Sequence, residues 1–236
     1  MTFTTSEVMT RAATTLNDAT AVRWTAQELH RYLNDGLREI VSIKPNAKSQ
    51  TVTLTLAEGT KQTLPATYTI LSRVSRNLTD TDEGAGAIRL LDSRSVLDSM
   101  LPGWQDETVI PFARVVKHVV HDMADPDTFY VVPGNDGTGR IEAVVGAYPT
   151  PSPTPGSPEL IASYTDNVDL ADIYLNPLAD YMLYRAYSKD ARVAGSAARA
   201  AAHLELFRGG VLGFAESENK MALATHASTN QQAREG

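Results

Sequence analysis

The first candidates for chemistry are His118 and His121, which lie three residues apart and are followed by Asp122. On a helix the two histidines would share a face and suggest a metal-binding pair. The segment predicts a β-strand instead, and residues three apart on a strand point to opposite faces. We therefore expect these histidines to pack on the sheet or lie at the surface rather than bind a metal.

A second group of possible ligands consists of Asp125, Asp127 and the sequence Asn135-Asp136-Gly137, whose oxygen atoms could hold calcium. These residues lack the spacing of a calcium loop that ends in a glutamate. Aspartate, asparagine and glycine also favour tight turns, because short side chains bond to nearby backbone and glycine tolerates unusual torsions. We predict turns here and no metal site.

Motifs of nucleophilic, phosphate-binding and metallopeptidase enzymes are absent from the sequence. It contains no Gly-x-Ser-x-Gly, no Walker loop and no His-Glu-x-x-His, and Gly84-Ala85-Gly86 lacks the third glycine of a dinucleotide fingerprint. A cysteine count of 0 excludes disulfides, cysteine-ligated zinc, iron–sulfur clusters and thiol catalysis. We expect a protein that is not an enzyme and carries no cofactor.

Composition limits the remaining function classes. A hydrophobic content of 42% is enough to bury a core. No segment has the pattern of a signal peptide or the apolar length of a membrane span, so we expect synthesis in a cytoplasm and no membrane insertion. The net charge of -7 disfavours tight binding to a phosphate backbone, but it would suit a wall past which nucleic acid slides.

Two helix starts near the N-terminus follow the same pattern of aromatic residue, threonine cap and acid. In the clearer one, Thr25 caps the helix, Glu28 completes a capping box, and Trp24 packs on Leu29. We predict one helix from about Thr5 to Asn17-Asp18 and another from Thr25 to Lys44-Pro45. Together they would form an α-hairpin.

The period then changes to that of strands. Polar and apolar residues alternate in Thr51–Leu56, and a Glu58-Gly59 turn leads to a returning strand at Lys61–Leu64. This pattern predicts a hairpin. Further predicted elements are strands at Tyr68–Val74, Ala87–Leu91, Val115–Asp122, Asp127–Pro133 and Arg140–Tyr148, and a short helix at Ser95–Leu101. The proline-rich segment Pro149–Pro158 is either an extended spacer or a loop that caps a sheet edge.

Helical periodicity returns in the C-terminal third. Asn176-Pro177 is a good helix start, and the helix that follows is apolar on nearly every side. It is covered either by its own bundle or by neighbouring subunits. Tyr181, Tyr184 and Tyr187 form a stripe that fits burial in a core or subunit interface better than ligand binding. An alanine-rich last helix is predicted from about Arg192 to Arg208.

Beyond Gly209-Gly210 the pattern lapses, and the tail has too few apolar residues to build a core by itself. It is either a disordered end or an arm that docks on a partner. The apolar residues that such an arm would use are Val211, Leu212, Phe214, Met221 and Leu223.

Three stretches together carry a resemblance to a known family. They are Arg23-Trp24-Thr25 through Gly36 to Lys44-Pro45-Asn46-Ala47, then His121-Asp122 through Asp125-Pro126 to Pro133, and Asn176-Pro177-Leu178 through Asp190 with Ala201–Phe207. With these stretches the chain resembles the head-to-tail adaptor proteins of tailed bacteriophages, the class that includes tail tubular protein A. The similarity covers most of residues 5 to 210, and none of its motifs is catalytic.

The resemblance implies an α+β fold with an antiparallel helical bundle, an inserted antiparallel β domain and an extended C-terminal arm. We expect an N-terminal helical hairpin at 1–49, the β domain at 50–164, the helices completing the bundle at 165–210 and the arm at 211–236.

The resemblance also implies the partners of such a protein. It would form a homo-oligomeric ring, suspected to be a dodecamer, that binds the portal protein and carries the tail nozzle or tail tube protein. Double-stranded DNA would pass through the bore during ejection. The arm residues would contact the portal, and the three tyrosines are candidates for the subunit interface. The protein would reside in the virion at the head–tail junction, after synthesis in the bacterial host cytoplasm.

Two other readings stay open from the sequence. The β domain could be a non-catalytic module that binds a sugar or a peptide, with the helices as scaffold. A hydrolase with a dispersed active site is the third, less favoured because the motifs are missing.

Overall fold

The computed structural model describes residues 2–91, 93–121, 125–190 and 192–235, with the side chains at 218, 219 and 221–235 excluded from the description. Asp122 and the side chains of Met221 and Leu223 therefore lie outside the described residues. The helices are α1 (Thr5–Thr15), α2 (Ala26–Ile43), α3 (Arg94–Met100), α4 (Leu175–Lys189) and α5 (Ser196–Glu235). The strands are β1 (Ser49–Thr55), β2 (Gly59–Thr63), β3 (Tyr68–Leu78), β4 (Gly84–Ala87), β5 (Arg89–Leu91), β6 (His118–His121), β7 (Thr128–Asn135) and β8 (Arg140–Ala147). The predicted α+β class is confirmed.

The chain divides into two compact units. The helical unit comprises Met1–Lys44 and Pro149–Gly236, and the β unit comprises Pro45–Tyr148. The predicted β domain runs from 50 to 164, whereas the β unit ends at Tyr148. The proline-rich segment that follows therefore belongs to the helical unit.

The two N-terminal helices begin at threonine caps, as predicted. The Oγ1 atoms of Thr4 and Thr25 accept the backbone N–H of Glu7 and Glu28, each at 3.3 Å. Each cap satisfies one of the backbone donors that a helix start leaves unpaired. Trp24 is buried and donates from Nε1 to the carbonyl of Ala186 on α4 at 3.2 Å, which fixes the entry of α2 against that helix.

Helix α4 begins slightly earlier than predicted. A 3₁₀ turn at Asp172–Tyr174 leads into Leu175, so Asn176 is the second residue of the helix and does not cap it. Its side chain instead accepts a hydrogen bond from Arg11 at 3.2 Å. Pro177 still lies in the first turn, where its missing N–H costs little.

Helix α4 is covered by its own chain, which decides between the two coverings that the sequence left open. Its contacts are with α1, α2 and α5. Gly36 on α2 allows a close approach of α2 to α4, because a Cβ atom there would lie 2.6 Å from Leu178 Cδ1 and 2.9 Å from Tyr181 Cδ1.

Helix α5 does not end at Arg208, and that prediction is wrong. It runs through Gly209 and Gly210 to Glu235. The next turn still packs on the unit, because Val211 is fully buried and the ring of Phe214 meets that of Tyr174 edge-on with centroids 5.7 Å apart. These contacts offset the low helix propensity of two glycines.

The proline-rich segment packs on α1 and α2 through Ser152. The Ser152 carbonyl lies 2.9 Å from His30 Nε2, its N–H donates to Asn34 Oδ1 at 2.8 Å, and its hydroxyl accepts from Thr5 at 2.9 Å. The segment, which the sequence left as an extended spacer or an edge cap, is therefore attached to two helices of its own unit.

The β unit contains two four-stranded sheets, ordered β1-β8-β3-β4 and β2-β7-β6-β5. All described pairs are antiparallel except the parallel pair β5 and β6. Both sheets contribute to one core, which includes Leu54, Leu71, Val119, Phe129, Val131 and Ile141.

Strand positions agree with the predictions better than strand partners do. The predicted antiparallel pairing of β6 with β7 is confirmed. The predicted hairpin of β1 and β2 is wrong, because β1 pairs with β8 and β2 pairs with β7. Likewise β8 follows β7 in sequence but joins the other sheet, between β1 and β3. The chain crosses between the sheets at these turns, since apolar residues on both strands face one shared core.

Candidate assembly interface

The two candidate metal ligands of the β unit lie on strand β6, as predicted. His118 is opposite Val132 and His121 is opposite Phe129 on β7. The His118 Nδ1 atom is buried and has no hydrogen-bond partner among the described residues, and burial lowers the pKa of His121. Among the residues that the structure describes, no three histidine, aspartate or glutamate side chains converge as a metal site requires.

Two of the candidate calcium ligands, Asn135 and Asp136, are engaged in a turn. Asp136 accepts from the hydroxyl and N–H of Thr138 at 2.6 and 2.9 Å, and these bonds lower the pKa of the Asp136 carboxyl. Asn135 Oδ1 accepts the N–H groups of Gly137 and Gly139 at 2.9 and 3.0 Å. The oxygens that the sequence offered to a cation hold the connection between β7 and β8 in shape.

Two tyrosines of the predicted interface stripe are buried within the helical unit. Tyr181 packs edge-on against Phe207 at 5.1 Å between ring centroids, and Tyr187 stacks on His203 at 5.7 Å. Tyr184 is half-buried and touches Tyr181. Only Tyr184 of the three therefore retains substantial surface for a neighbouring copy.

Arg185 holds this part of the bundle together. Its guanidinium lies 5.1 Å from the ring centroid of Tyr32, and Nη1 donates to Asp35 at 3.0 Å and to the Tyr181 hydroxyl at 3.1 Å. The pKa of Tyr32 is raised by burial and by the hydrogen bond that the Tyr32 hydroxyl donates to Glu28. These polar groups are paired with one another, so they form a structural network.

The five predicted arm residues fall into three groups. Val211 is buried and Phe214 is half-buried against Tyr174, so both contribute to the bundle. Leu212 is exposed by 49%. Met221 and Leu223 are on the helical backbone of α5, and their side chains lie outside the described residues.

The described side chains beyond Phe214 show where the bundle ends. Ala215 is half-buried, whereas Glu216, Ser217 and Lys220 are exposed. The backbone nonetheless continues as a helix to Glu235. The described side chains at 216, 217 and 220 are therefore exposed on a helix whose backbone continues to Glu235.

The model of the family described as SU10 adaptor protein matches residues 1–231. The chain belongs to the SU10 adaptor protein family.

Membership confirms the coarser part of the resemblance, a structural head-to-tail adaptor of a bacteriophage virion. The closer likeness to tail tubular protein A stays a prediction. The comparison with curated proteins gave no match. No helix in the described part of the chain is both long enough and apolar enough to cross a membrane.

Between α1, α4 and α5 this adaptor has a shallow groove that was not predicted from the sequence. The groove has a volume of about 550 Å³ and includes Arg11, Asp180 and His203. Arg11 pairs with Glu7 at 2.9 Å, and His203 Nδ1 lies 2.8 Å from Asp180 Oδ1. The ion pair of Glu7 and Arg11 could be expected from their i,i+4 spacing on one helix. The pair of Asp180 and His203 could not, because these residues lie on separate helices.

A smaller groove of about 290 Å³ lies in the β unit, where β1 and β2 meet the core. Its lining includes Tyr68 and Phe129, the residue types that a sugar or peptide site would use. Its amide, Gln62, is already bonded to the N–H and carbonyl of Ala57 at 2.7 and 2.8 Å. The geometry therefore gives the alternative binding-module reading little support.

Proposed function

We propose that this adaptor forms a ring beneath the portal of a tailed phage, joins the portal to the tail nozzle or tail tube, and lines part of the DNA conduit. Family membership supports the adaptor role. The net charge of -7 is compatible with a conduit past which DNA moves without tight binding. The suspected stoichiometry is dodecameric.

The proposed contact with the portal is based on the end of helix α5. From Glu216 to Glu235 the helix would extend about 30 Å at 1.5 Å per residue. An isolated helix in water gains little stability without a packed face, so such a helix is well suited to docking. We propose that this segment, which includes Met221 and Leu223, binds the portal.

The arm proposed from the structure is shorter than the one expected at 211–236. Val211 and Phe214 contact the chain's own helical unit. Removing them would expose the core around Tyr174 and confuse loss of binding with loss of folding. The arm is therefore assigned to 216–236.

Subunit contacts within the ring are proposed to include Tyr184 on α4 and the exposed Leu206 and Leu212 on α5. Tyr181 and Tyr187, the other two candidates, support these contacts from inside the bundle. A closed ring needs two different surfaces on each copy, because every contact is heterologous.

A pair of truncations tests the arm. A chain ending at Ala215 is expected to keep the thermal unfolding temperature of the full chain and to lose binding to the portal protein in a pull-down. A chain ending at Gly210 also lacks Val211 and Phe214, so its unfolding temperature should fall as well. Undiminished portal binding by the chain ending at Ala215 would refute the arm assignment.

A further inference from the structure

Among the described residues, strand β1 leaves a regular row of backbone groups unpaired at one edge of its sheet. All seven residues from Ser49 to Thr55 pair in register with β8, without a bulge, a proline or a charged residue. Ala147 N–H donates to the Lys48 carbonyl and Leu56 N–H donates to the Gly139 carbonyl, at 2.8 and 2.9 Å.

Those two bonds fix which groups of β1 point outward. Backbone groups alternate in direction along an antiparallel strand, so the even-numbered residues face β8 and the odd-numbered residues face away. The outward residues include Thr51, Thr53 and Thr55, whose side chains are also exposed. Such an edge is a template for an extended strand of another chain.

Strand β4 forms the opposite edge of the same sheet. Its sequence Gly84-Ala85-Gly86-Ala87 has no charge and no side chain larger than a methyl group, and all four residues are exposed. Glycine in a strand often marks a place where another backbone approaches closely. The pairing of β4 with β3 shifts register around Ala85, so this residue has no partner on β3.

The hairpin that carries β4 is held in place by ion pairs at its tip. Asp80 accepts from both terminal nitrogens of Arg114 at 2.6 and 3.1 Å, and Arg140 lies 2.9 Å from Asp82. A strand fixed in this way loses less conformational entropy when it binds.

The edges of the second sheet are better protected. Strand β2 carries Lys61 and an irregularity between Gly59 and Lys61, and β5 has three residues and begins with Arg89. A lysine, a bulge and a short strand are the devices by which proteins discourage edge pairing. Strand β4 is also short and irregular, but unlike β2 and β5 it carries no charged side chain. The two uncharged edges, β1 and β4, therefore belong to one sheet and lie on its opposite sides.

Strand direction in this sheet allows it to continue into another copy. The order β1-β8-β3-β4 is antiparallel at every described step, so β1 and β4 run in opposite directions. Placing β4 beside β1 of a second copy in the same orientation continues the alternation. An even number of strands is required for this match.

We propose that copies of this adaptor join by antiparallel pairing of β4 of one copy with β1 of the next. The pairing deepens the proposed function and rests on it for the identity of the ring. One sheet then runs from copy to copy, and the contact is heterologous, as a closed ring requires. Each edge strand of a copy therefore pairs with an edge strand of a neighbouring copy of the same chain.

Cysteine cross-linking tests the pairing directly, because the chain has a cysteine count of 0. Ala85→Cys is combined with Thr51→Cys, Thr53→Cys or Thr55→Cys in the full chain, bound to the portal protein and mildly oxidised. Neighbouring strands place Cα atoms about 4.5–5.5 Å apart, within the range of a disulfide. At least one pair should give a ladder of covalent oligomers on a denaturing gel.

The matched control is Ala85→Cys with Lys61→Cys, which places the second thiol on the protected edge of the other sheet. It should give no ladder, and neither should any single variant. A portal-bound ring that yields no ladder with all three pairs, or an equal ladder with the control, overturns the pairing while the adaptor function stands. A ladder without portal binding supports the pairing and refutes the function, and a chain that neither assembles nor binds portal refutes both.

A backbone variant tests the same contact without a cross-link. Thr53→Pro removes an outward N–H of β1 and leaves the bonds to β8 in place, so the concentration needed for ring assembly should rise about tenfold. Thr53→Val keeps the N–H and should assemble as the unmodified chain does. Equal assembly by the proline variant, with an unchanged unfolding temperature, contradicts the proposal.

Discussion

In the helical unit, segments far apart in sequence are joined by buried hydrogen bonds, whereas in the β unit each sheet ends in strands with one open side. His30 and the carbonyl of Ser152 are 122 residues apart and lie 2.9 Å from each other. Strands β1 and β4 have a partner on one side only, within the described chain. The helical unit thus joins distant segments of its own chain, whereas the edge strands of the β unit have outward backbone groups that pair with no other described strand.

The comparison changes where assembly surfaces are expected in this adaptor. The apolar sides of α4 left open whether its own bundle or neighbouring copies cover it, and α1, α2 and α5 do so. Besides Tyr184, Leu206 and Leu212, the surfaces proposed for partners are the open sheet edges and the end of α5. Both depend on the course of the backbone, so the residue types in these segments do not by themselves indicate a contact surface.

The largest effect is expected from Leu178→Ala in the core of the helical unit. Leu178 is fully buried, so the substitution should lower the free energy of unfolding by about 2–5 kcal/mol. Trp24 reports on the helical unit and Trp104 on the β unit, so urea unfolding of single-tryptophan variants follows each separately. The Trp24 transition should shift alone; an equal shift of the Trp104 transition would mean that the two units unfold together.

A pair of glycine substitutions separates a packed position from an open one. Gly36→Ala should cost about 1–3 kcal/mol, because the new methyl group would overlap Leu178 and Tyr181. Gly209→Ala has nothing within 4 Å of the new Cβ and should stabilise α5 by about 0.5–1 kcal/mol. Thermal unfolding of both variants measures the difference, and a shift of the same sign in both would contradict the packing described for α2 and α4.

Acid should weaken the helical unit through His30. Burial lowers the pKa of His30 below its ordinary value of 6.5, although the bond to the Ser152 carbonyl acts in the opposite direction. The unfolded chain therefore binds a proton more readily, and the contribution of this group is fully present above pH 6.5 and is lost as the pH falls toward the lowered pKa. His30→Gln should make the decline of Trp24-reported stability between pH 6.5 and 5 less steep. An unchanged slope would show that His30 is not the responsible group.

The smallest effect is expected from Arg76→Met on the open face of the β unit. The Arg76 guanidinium lies 2.8 Å from Glu142, but 48% of the arginine side chain is exposed. Ion pairs at the surface contribute about 0–1 kcal/mol, so the Trp104 transition should move by less than 1 kcal/mol. A larger loss would indicate that the outer face of this sheet depends on side-chain pairing as the helical unit does.

Local signals in the sequence predicted the elements, and distant contacts decided their partners. The threonine caps at Thr4 and Thr25 and the strand at β6 follow from a few neighbouring residues. The separation of β1 from β2, however, depends on which strand offers the complementary apolar face across the core. The continuation of α5 through Gly209 depends on Val211 and Phe214 packing against residues of other segments.

The candidate site shows the same limit. The sequence identified Tyr184 and the C-terminal arm by apolar content, and these stay proposals after the structure. It gave no signal for Ser152, whose role depends on three polar partners from α1 and α2. The open edges of β1 and β4 were also missed, because an edge is defined by the strand that is not beside it.

The central claim is that this chain is an adaptor that forms a ring on the portal. Mass measurement of purified portal ring mixed with the 25.5 kDa full chain tests it most directly. The account predicts one discrete complex whose added mass corresponds to a closed, dodecameric set of adaptor copies, and no such complex for the chain ending at Ala215. A portal ring whose mass is unchanged by an excess of the folded full chain would contradict the account.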